Sequence, residues 1–194
     1  MQYAENIEVI GNCTPELYRY IHKVAKFLGI STLPGHVELE IVEDLGRFAG
    51  LVDGDEDQVD ISIAETFNGE RIDDTQIKIN IAHEMIHAVQ ILTGRLIHSG
   101  LSLEGGIMSY KWIFDGEEYQ NLIYSDQPWE NEAYEYEKEV YEAIQSGRKV
   151  CGAIQSRLYP RWQKEGSQEE GLSRRSVVPK EWFLTTWQTP TYEL

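Results

Sequence analysis

A chain of 194 residues, 41% hydrophobic and 26% charged, carries enough apolar material for one domain with a real core. Its formal charge of −16 excludes the basic surface needed to bind DNA, RNA or anionic lipid non-specifically, and suits either a cationic partner or plain solubility. No apolar run is long enough to span a bilayer, and the start, Met1-Gln2-Tyr3-Ala4-Glu5-Asn6, lacks the basic-then-apolar order of a secretory signal, so the expected location is the cytoplasm.

Thr14-Pro15-Glu16 opens the first predicted helix, with a hydroxyl at the cap and proline at the first helical position. Leu17, Tyr20, Ile21, Val24, Phe27 and Leu28 follow at helical spacing, and Gly29 ends the run. Val37, Leu39 and Ile41 alternate with Glu38, Glu40 and Val42 as in a half-buried strand. Two further strands are expected from Arg47 to Val52 and from Val59 to Ala64, with Asp53-Gly54-Asp55-Glu56-Asp57 as an acidic hairpin loop. A calcium loop is the other reading of that segment, but its twelfth position is Ala64 where a glutamate is needed, and its flanks read as strands.

Asp73-Asp74-Thr75 starts a long helix that runs to Leu92 or Thr93 and closes at Gly94, with Ile81, Met85, Ala88 and Leu92 along its core face. A glycine-rich stretch from Ser99 to Gly106 follows. Met108 to Phe114 and Glu118 to Tyr124 read as strands around the turn signal Asp115-Gly116. Pro128-Trp129 opens a last helix to about Ser146, with Trp129, Ala133, Tyr136, Val140 and Ile144 as its stripe. Beyond Val150 no long period is found, so the chain divides into a domain over 1–149 and an irregular extension over 150–194. Cys13 and Cys151 stand alone; neither a disulfide framework nor Cys-x-x-Cys metal spacing is present, and both are expected as small buried side chains.

The segment His83-Glu84-Met85-Ile86-His87 carries the chemistry. Histidines four apart on a helix project to one side, one turn apart, and can hold one tetrahedral Zn2+ through neutral nitrogens. Glu84 is rotated by about 100° from His83, beside the open coordination position rather than in it, where it can act as general base and then pass the proton to a leaving amine. A hydrolytic site needs a third protein ligand, and two routes exist. Glu130 and Glu132 leave the last helix on different sides, so only one can face the metal, and periodicity does not choose between them. His98 would need a tight return of the chain after Gly94; otherwise it is a solvent-exposed loop histidine.

A His-Glu-x-x-His helix followed some forty residues later by a glutamate helix resembles the gluzincin-type zincin metallopeptidases. In those families the distal glutamate completes the site, in a Glu-x-x-x-Asp or Glu-x-x-Ala-Asp setting. The matching segment here is Glu130-Asn131-Glu132-Ala133-Tyr134. The resemblance implies Glu130 as third ligand and keeps Ala133 as the small residue. Tyr134 stands where the family has the aspartate that orients a zinc histidine, so the resemblance supplies no partner for that histidine. The match is closer to small phage-encoded proteins of this type, through His83 to Gln90, Gly94, Lys111-Trp112 with Gly116 and Tyr119, and Pro128 to Tyr134, over residues 72–142. The SprT-like proteases share the first helix but use a later histidine, faintly echoed by His98-Ser99-Gly100.

This resemblance implies an α+β zincin core, in which a small, twisted, mostly antiparallel sheet lies beside the active-site helix and an edge strand takes extended peptide. It implies a zinc metallopeptidase with a polypeptide substrate, located in host cytoplasm or virion if phage-encoded. Tyr110, Tyr124 and Tyr134 are the candidate donors to an oxyanion. The competing expectation is a zincin fold without turnover, a structural or interaction protein such as a phage particle component. Its motive is the extension with Trp162, Trp182 and Trp187, since aromatic residues are enriched at protein interfaces. A third is a closed zinc site, with His98 or Glu132 joining Glu130 so that all four ligands are protein.

Overall fold

The computed structural model describes residues 4–104, 107–148 and 158–159. Its class is mixed α+β, with three helices and two small sheets. Strand β1 (Ile7–Gly11) leads into helix α1 (Pro15–Leu28), followed by strands β2 (His36–Asp44), β3 (Gly50–Gly54), β4 (Gln58–Phe67) and β5 (Glu70–Arg71). Helix α2 (Asp74–Leu92), strands β6 (Leu96–Glu104), β7 (Ile107–Phe114) and β8 (Glu117–Gln120), and helix α3 (Pro128–Ser146) complete the order.

The helix boundaries follow the local chemistry. Thr14 caps α1 by accepting from the Leu17 N–H, and Gly29 ends it at a φ of 81°. Asp73 caps α2 by accepting from the N–H groups of Thr75 and Gln76. At its other end the Arg95 N–H bonds the Gln90 carbonyl and the Gly94 N–H bonds the Ile91 carbonyl, with Gly94 at a φ of 64°. This double closure reverses the chain and sends Arg95 back along the helix.

The first sheet has the order β1-β2-β4-β3, with β5 paired to β4. It departs from the mostly antiparallel sheet expected. β1 and β2 are parallel, joined through α1, and β2 and β4 are parallel because β3 lies between them in sequence but outside β4 in space. Antiparallel pairing is confined to β3 and β5 on β4, and to the second sheet β6-β7-β8. The acidic segment is the β3–β4 turn: the Asp55 carboxylate accepts from the N–H groups of Asp57 and Gln58, and the strand flanks leave no EF-hand.

Val37, Leu39, Ile41, Val59, Ile61 and Ile63 turn one face of the first sheet inward, and α1 and α2 cover it. α2 carries more than one core face. Every residue from Ile81 to Leu92 is buried, because the helix lies among the sheet, α1, α3 and β6. Each fully buried Ile or Leu along it contributes about 1.5–3 kcal/mol. The second sheet is held on α3 through Trp129, whose ring packs against Trp112, Phe114 and Tyr119. Two sequence expectations change here. The glycine-rich stretch that begins at Ser99 is part of strand β6 as far as Glu104, and β8 stops at Gln120, leaving Tyr124 in a short 3-10 turn (Tyr124–Asp126).

Cys13 is half-buried with a free thiol, and Cys151 lies outside the described residues. So does nearly all of the 150–194 extension, Trp162, Trp182 and Trp187 included. Of that segment Leu158 is fully buried in the core, and the Tyr159 hydroxyl donates to the Leu28 carbonyl at 2.5 Å. No helix among the described residues is long and apolar enough to cross a membrane.

Candidate metal centre

α2 and α3 lie side by side and bring together residues 47 positions apart. Nε2 of His83 and Nε2 of His87 are 3.1 Å apart. Oε2 of Glu130 is 3.3 Å from the first, and Oε1 is 3.0 Å from the second. Metal–ligand bonds of about 2.0–2.1 Å place neighbouring donors at a tetrahedral centre roughly 3.3 Å apart, so these separations have the scale of a zinc site. All three side chains are buried, and among the described residues this is the one His/Cys/Asp/Glu group with metal-ligand spacing.

The outer nitrogens decide what the inner ones can do. Nδ1 of His83 lies 2.9 Å from Oε2 of Glu137, and a carboxylate there accepts its proton. Nδ1 of His87 lies 2.7 Å from Oε1 of Gln90. The Gln90 amide is oriented by its own contacts: Nε2 donates to the Trp129 carbonyl at 3.1 Å and to Oε2 of Glu132 at 2.7 Å, so its oxygen must face His87. Both histidines therefore carry hydrogen on Nδ1 and turn the Nε2 lone pair inward. When both imidazoles are neutral their inner nitrogens carry no proton, and the buried Oε1 of Glu130 then has no donor to accept from. Three electron-pair donors converging at this distance repel one another unless a cation stands among them, so the residues fit a metal ion.

The proton is the smallest cation that the cluster can take. Burial opposes charge on His83, but the Glu130 and Glu137 carboxylates outweigh it and push its pKa up to about 10. His87 is raised for the same reasons, burial being overcome by Glu130. Glu130 is held down to about 2, burial being overcome by His87 and His83. Burial raises Glu84 above the ordinary carboxylate range; the two histidines pull it back only in part, while Glu130 and Glu137 push it further up.

Glu84 faces a cavity of about 380 Å³. Phe48, Leu51, Phe67 and Ile72 give the cavity an apolar wall, and Tyr124 and Tyr134 line it on the side of α3. Strand β3, the edge of the first sheet, runs along it from Gly50 to Val52. A Cβ at Gly50 would stand 2.4 Å from Oε1 of Glu84, so only glycine lets this strand pass so close to the carboxylate. The Tyr134 ring lies 4.7 Å from that of His83, and its hydroxyl is 3.1 Å from that of Tyr124, which donates a short hydrogen bond to Glu130.

Other residues weighed from the sequence lie elsewhere. Glu132 turns away from the histidines and accepts from Gln90 and Arg95. His98 is neither a loop histidine nor in the cluster; it sits on β6, half-buried against the rings of Tyr110 and Trp112, and burial lowers its pKa. Tyr110 accordingly lies with His98, not at the cavity. Sequence reasoning missed Glu137 and Gly50, and named Gln90 only as part of the resembled pattern, without a role. The signal for Glu137 was available: it follows Glu130 by seven residues, two turns along the same helix face.

Comparison of the chain with protein-family models, with curated proteins and with solved structures gives no significant match. The functional reading therefore rests on the chemistry of the cluster and cavity.

Proposed function

We propose that this protein is a zinc-dependent hydrolase with a zincin-type core, acting as a metallopeptidase. The observation that carries the reading is the convergence of two imidazole nitrogens and a buried carboxylate, with both tautomers fixed from behind, next to a glutamate that opens on a cavity. Two histidines and one carboxylate are a donor set for catalytic zinc, which uses three protein ligands and keeps one position open. His83, His87 and Glu130 would hold the ion; neither Glu132 nor His98 joins them, so no closed four-ligand protein site is formed among the described residues. Bound there, zinc would supply a Lewis acid that lowers the pKa of water to about 7 and polarises a carbonyl.

The chain's own groups do the rest. Glu84 takes the proton of the attacking water and returns it to the leaving amine, and burial holds its pKa above the ordinary carboxylate range. Tyr124 donates to Glu130, so the hydrogen bond between the two hydroxyls is donated by Tyr134; to meet a developing oxyanion Tyr134 would turn that donor from Tyr124 toward the cavity it lines. The edge position of β3 beside the cavity suits an extended peptide, whose backbone can pair with the open side of the strand while a side chain enters the apolar pocket.

Cleavage of a peptide library by zinc-loaded wild type and zinc-loaded Glu84→Gln tests this reading. The expected result is cleavage by wild type and a loss of at least about a hundredfold in the variant, the scale of a general base. Equal cleavage by the two, or none by either, would contradict it.

A further inference from the structure

We infer that Glu132 is a positioning residue for the metal centre, which sets the tautomer of His87 through the amide of Gln90. The inference rests on the metal reading above and adds a residue that makes no contact with the ligand atoms. Gln90 is fully buried, and its amide has two orientations of nearly equal shape. In the observed one, Oε1 accepts from Nδ1 of His87 and Nε2 donates to Glu132 and to the Trp129 carbonyl. In the other, the amide would donate to Nδ1, and the hydrogen of His87 would move to Nε2. That is the nitrogen facing His83 and Glu130, and once protonated it has no lone pair for a metal.

The Trp129 carbonyl and Glu132 together select between the two orientations. Glu132 is the stronger selector, because a carboxylate accepts but cannot donate. It is itself held in place: Oε1 accepts from Nη2 of Arg95 at 3.1 Å. Arg95 is buried and fixed on its other sides, with Nε and Nη2 donating to the two oxygens of Asp115 at 2.8 and 2.9 Å, and Nη1 donating to the Leu158 carbonyl at 3.2 Å. The double closure that ends α2 at Gly94 is what aims Arg95 at Glu132. Asp115 belongs to the β7–β8 turn, so the chain of contacts joins that hairpin to a zinc ligand through Arg95, Glu132 and Gln90.

Glu132→Gln tests the inference without changing shape. An amide at position 132 must present its NH2 either to Gln90 or to Arg95, both of them donors. The first choice favours the inverted Gln90 amide. The double variant Gln90→Glu with Glu132→Gln restores the polarity. The carboxylate it introduces at position 90 accepts from His87, and the amide at position 132 donates to that carboxylate while its oxygen accepts from Arg95. Zinc affinity, read by competition with a chromophoric chelator on the full chain, should fall about ten- to hundredfold in Glu132→Gln, the scale of outer-partner effects on metal sites. It should return to within about tenfold of wild type, and above Glu132→Gln, in the double variant, whose new carboxylate turns an oxygen toward the Trp129 carbonyl where wild type has a donating NH2. Rescue by swapped charge is not expected of a residue that merely supports the fold. Wild-type affinity in Glu132→Gln, or a folded double variant that binds no better than the single one, would overturn the inference alone. Should the single variant fail to fold, the double variant still decides by the same tenfold criterion. Wild type that binds no zinc would overturn both this inference and the metal reading.

Discussion

Glu137 holds the outer nitrogen of His83 at 2.9 Å, two helical turns beyond the carboxylate that meets its inner nitrogen. One face of α3 thus supplies both an expected ligand and the group that orients another. The Tyr134 ring packs against that of His83, and the outer nitrogen is left to Glu137 on the next turn. Replacing Glu137 by Gln keeps the shape but weakens the hold on the Nδ1–H tautomer. Zinc affinity is expected to fall about ten- to hundredfold, measured by chelator competition; unchanged affinity would contradict this role.

Gly50→Ala separates the base from the metal. The new methyl would lie 2.4 Å from Oε1 of Glu84 and 2.8 Å from its Cγ, so the side chain must leave its place. Overpacking of this kind costs about 1–3 kcal/mol. Zinc content should be retained while peptide cleavage falls at least about tenfold, on the order of what displacing a base by an ångström entails. A variant with wild-type turnover would show that Glu84 does not work from the position described.

The metal-free protein should be destabilised by alkali in a way the zinc-loaded protein is not. His83 has a folded pKa of about 10 against an ordinary value of 6.5. Between those values the folded chain holds more protons than the unfolded one, so stability falls as pH rises. The contribution is complete below about 6.5 and is gone once pH passes about 10. Glu130 sets the acid limit: its contribution is present above 4.5 and lost as pH falls through about 2. A metal ion displaces the proton, and binding then releases it. Melting temperatures from pH 6.5 to about 10 should therefore decline in the metal-free protein and stay nearly level with zinc. A level metal-free profile would contradict the account of the cluster.

Trp129→Ala should be costly for a different reason. The ring is 1% exposed and joins the second sheet to α3. Truncating a buried tryptophan costs about 3–5 kcal/mol, readable as a drop in urea midpoint. A loss under about 1 kcal/mol would show that the hairpin does not depend on this contact.

The sequence displayed much of this arrangement wherever a local rule applied. Thr14, Asp73, Gly29 and Gly147 mark the helix ends because caps act within a turn. His83, Glu84 and His87 stand out because their spacing is that of one helix. What was hidden depends on contacts between elements. Parallel pairing of β2 with β4 is decided by where β3 docks, which no window on either strand contains. Strand β6 was obscured by Gly100, where the antiparallel pairing with β7 shifts register. The division of labour between Glu130 and Glu132 needed the register of α3 on α2: one meets the histidines, the other meets Gln90 and Arg95. Gly50 carries no signal of its own until the strand is seen against Glu84.

The most direct measurement is metal analysis of purified wild type, Glu84→Gln, His83→Ala and Glu130→Ala. Close to one zinc per chain is expected in the first two, since Glu84 is not among the three proposed ligands, and loss of that zinc in the last two. Zinc well below one per chain in wild type, or zinc unchanged by His83→Ala, would contradict the claim that these side chains form a metal centre.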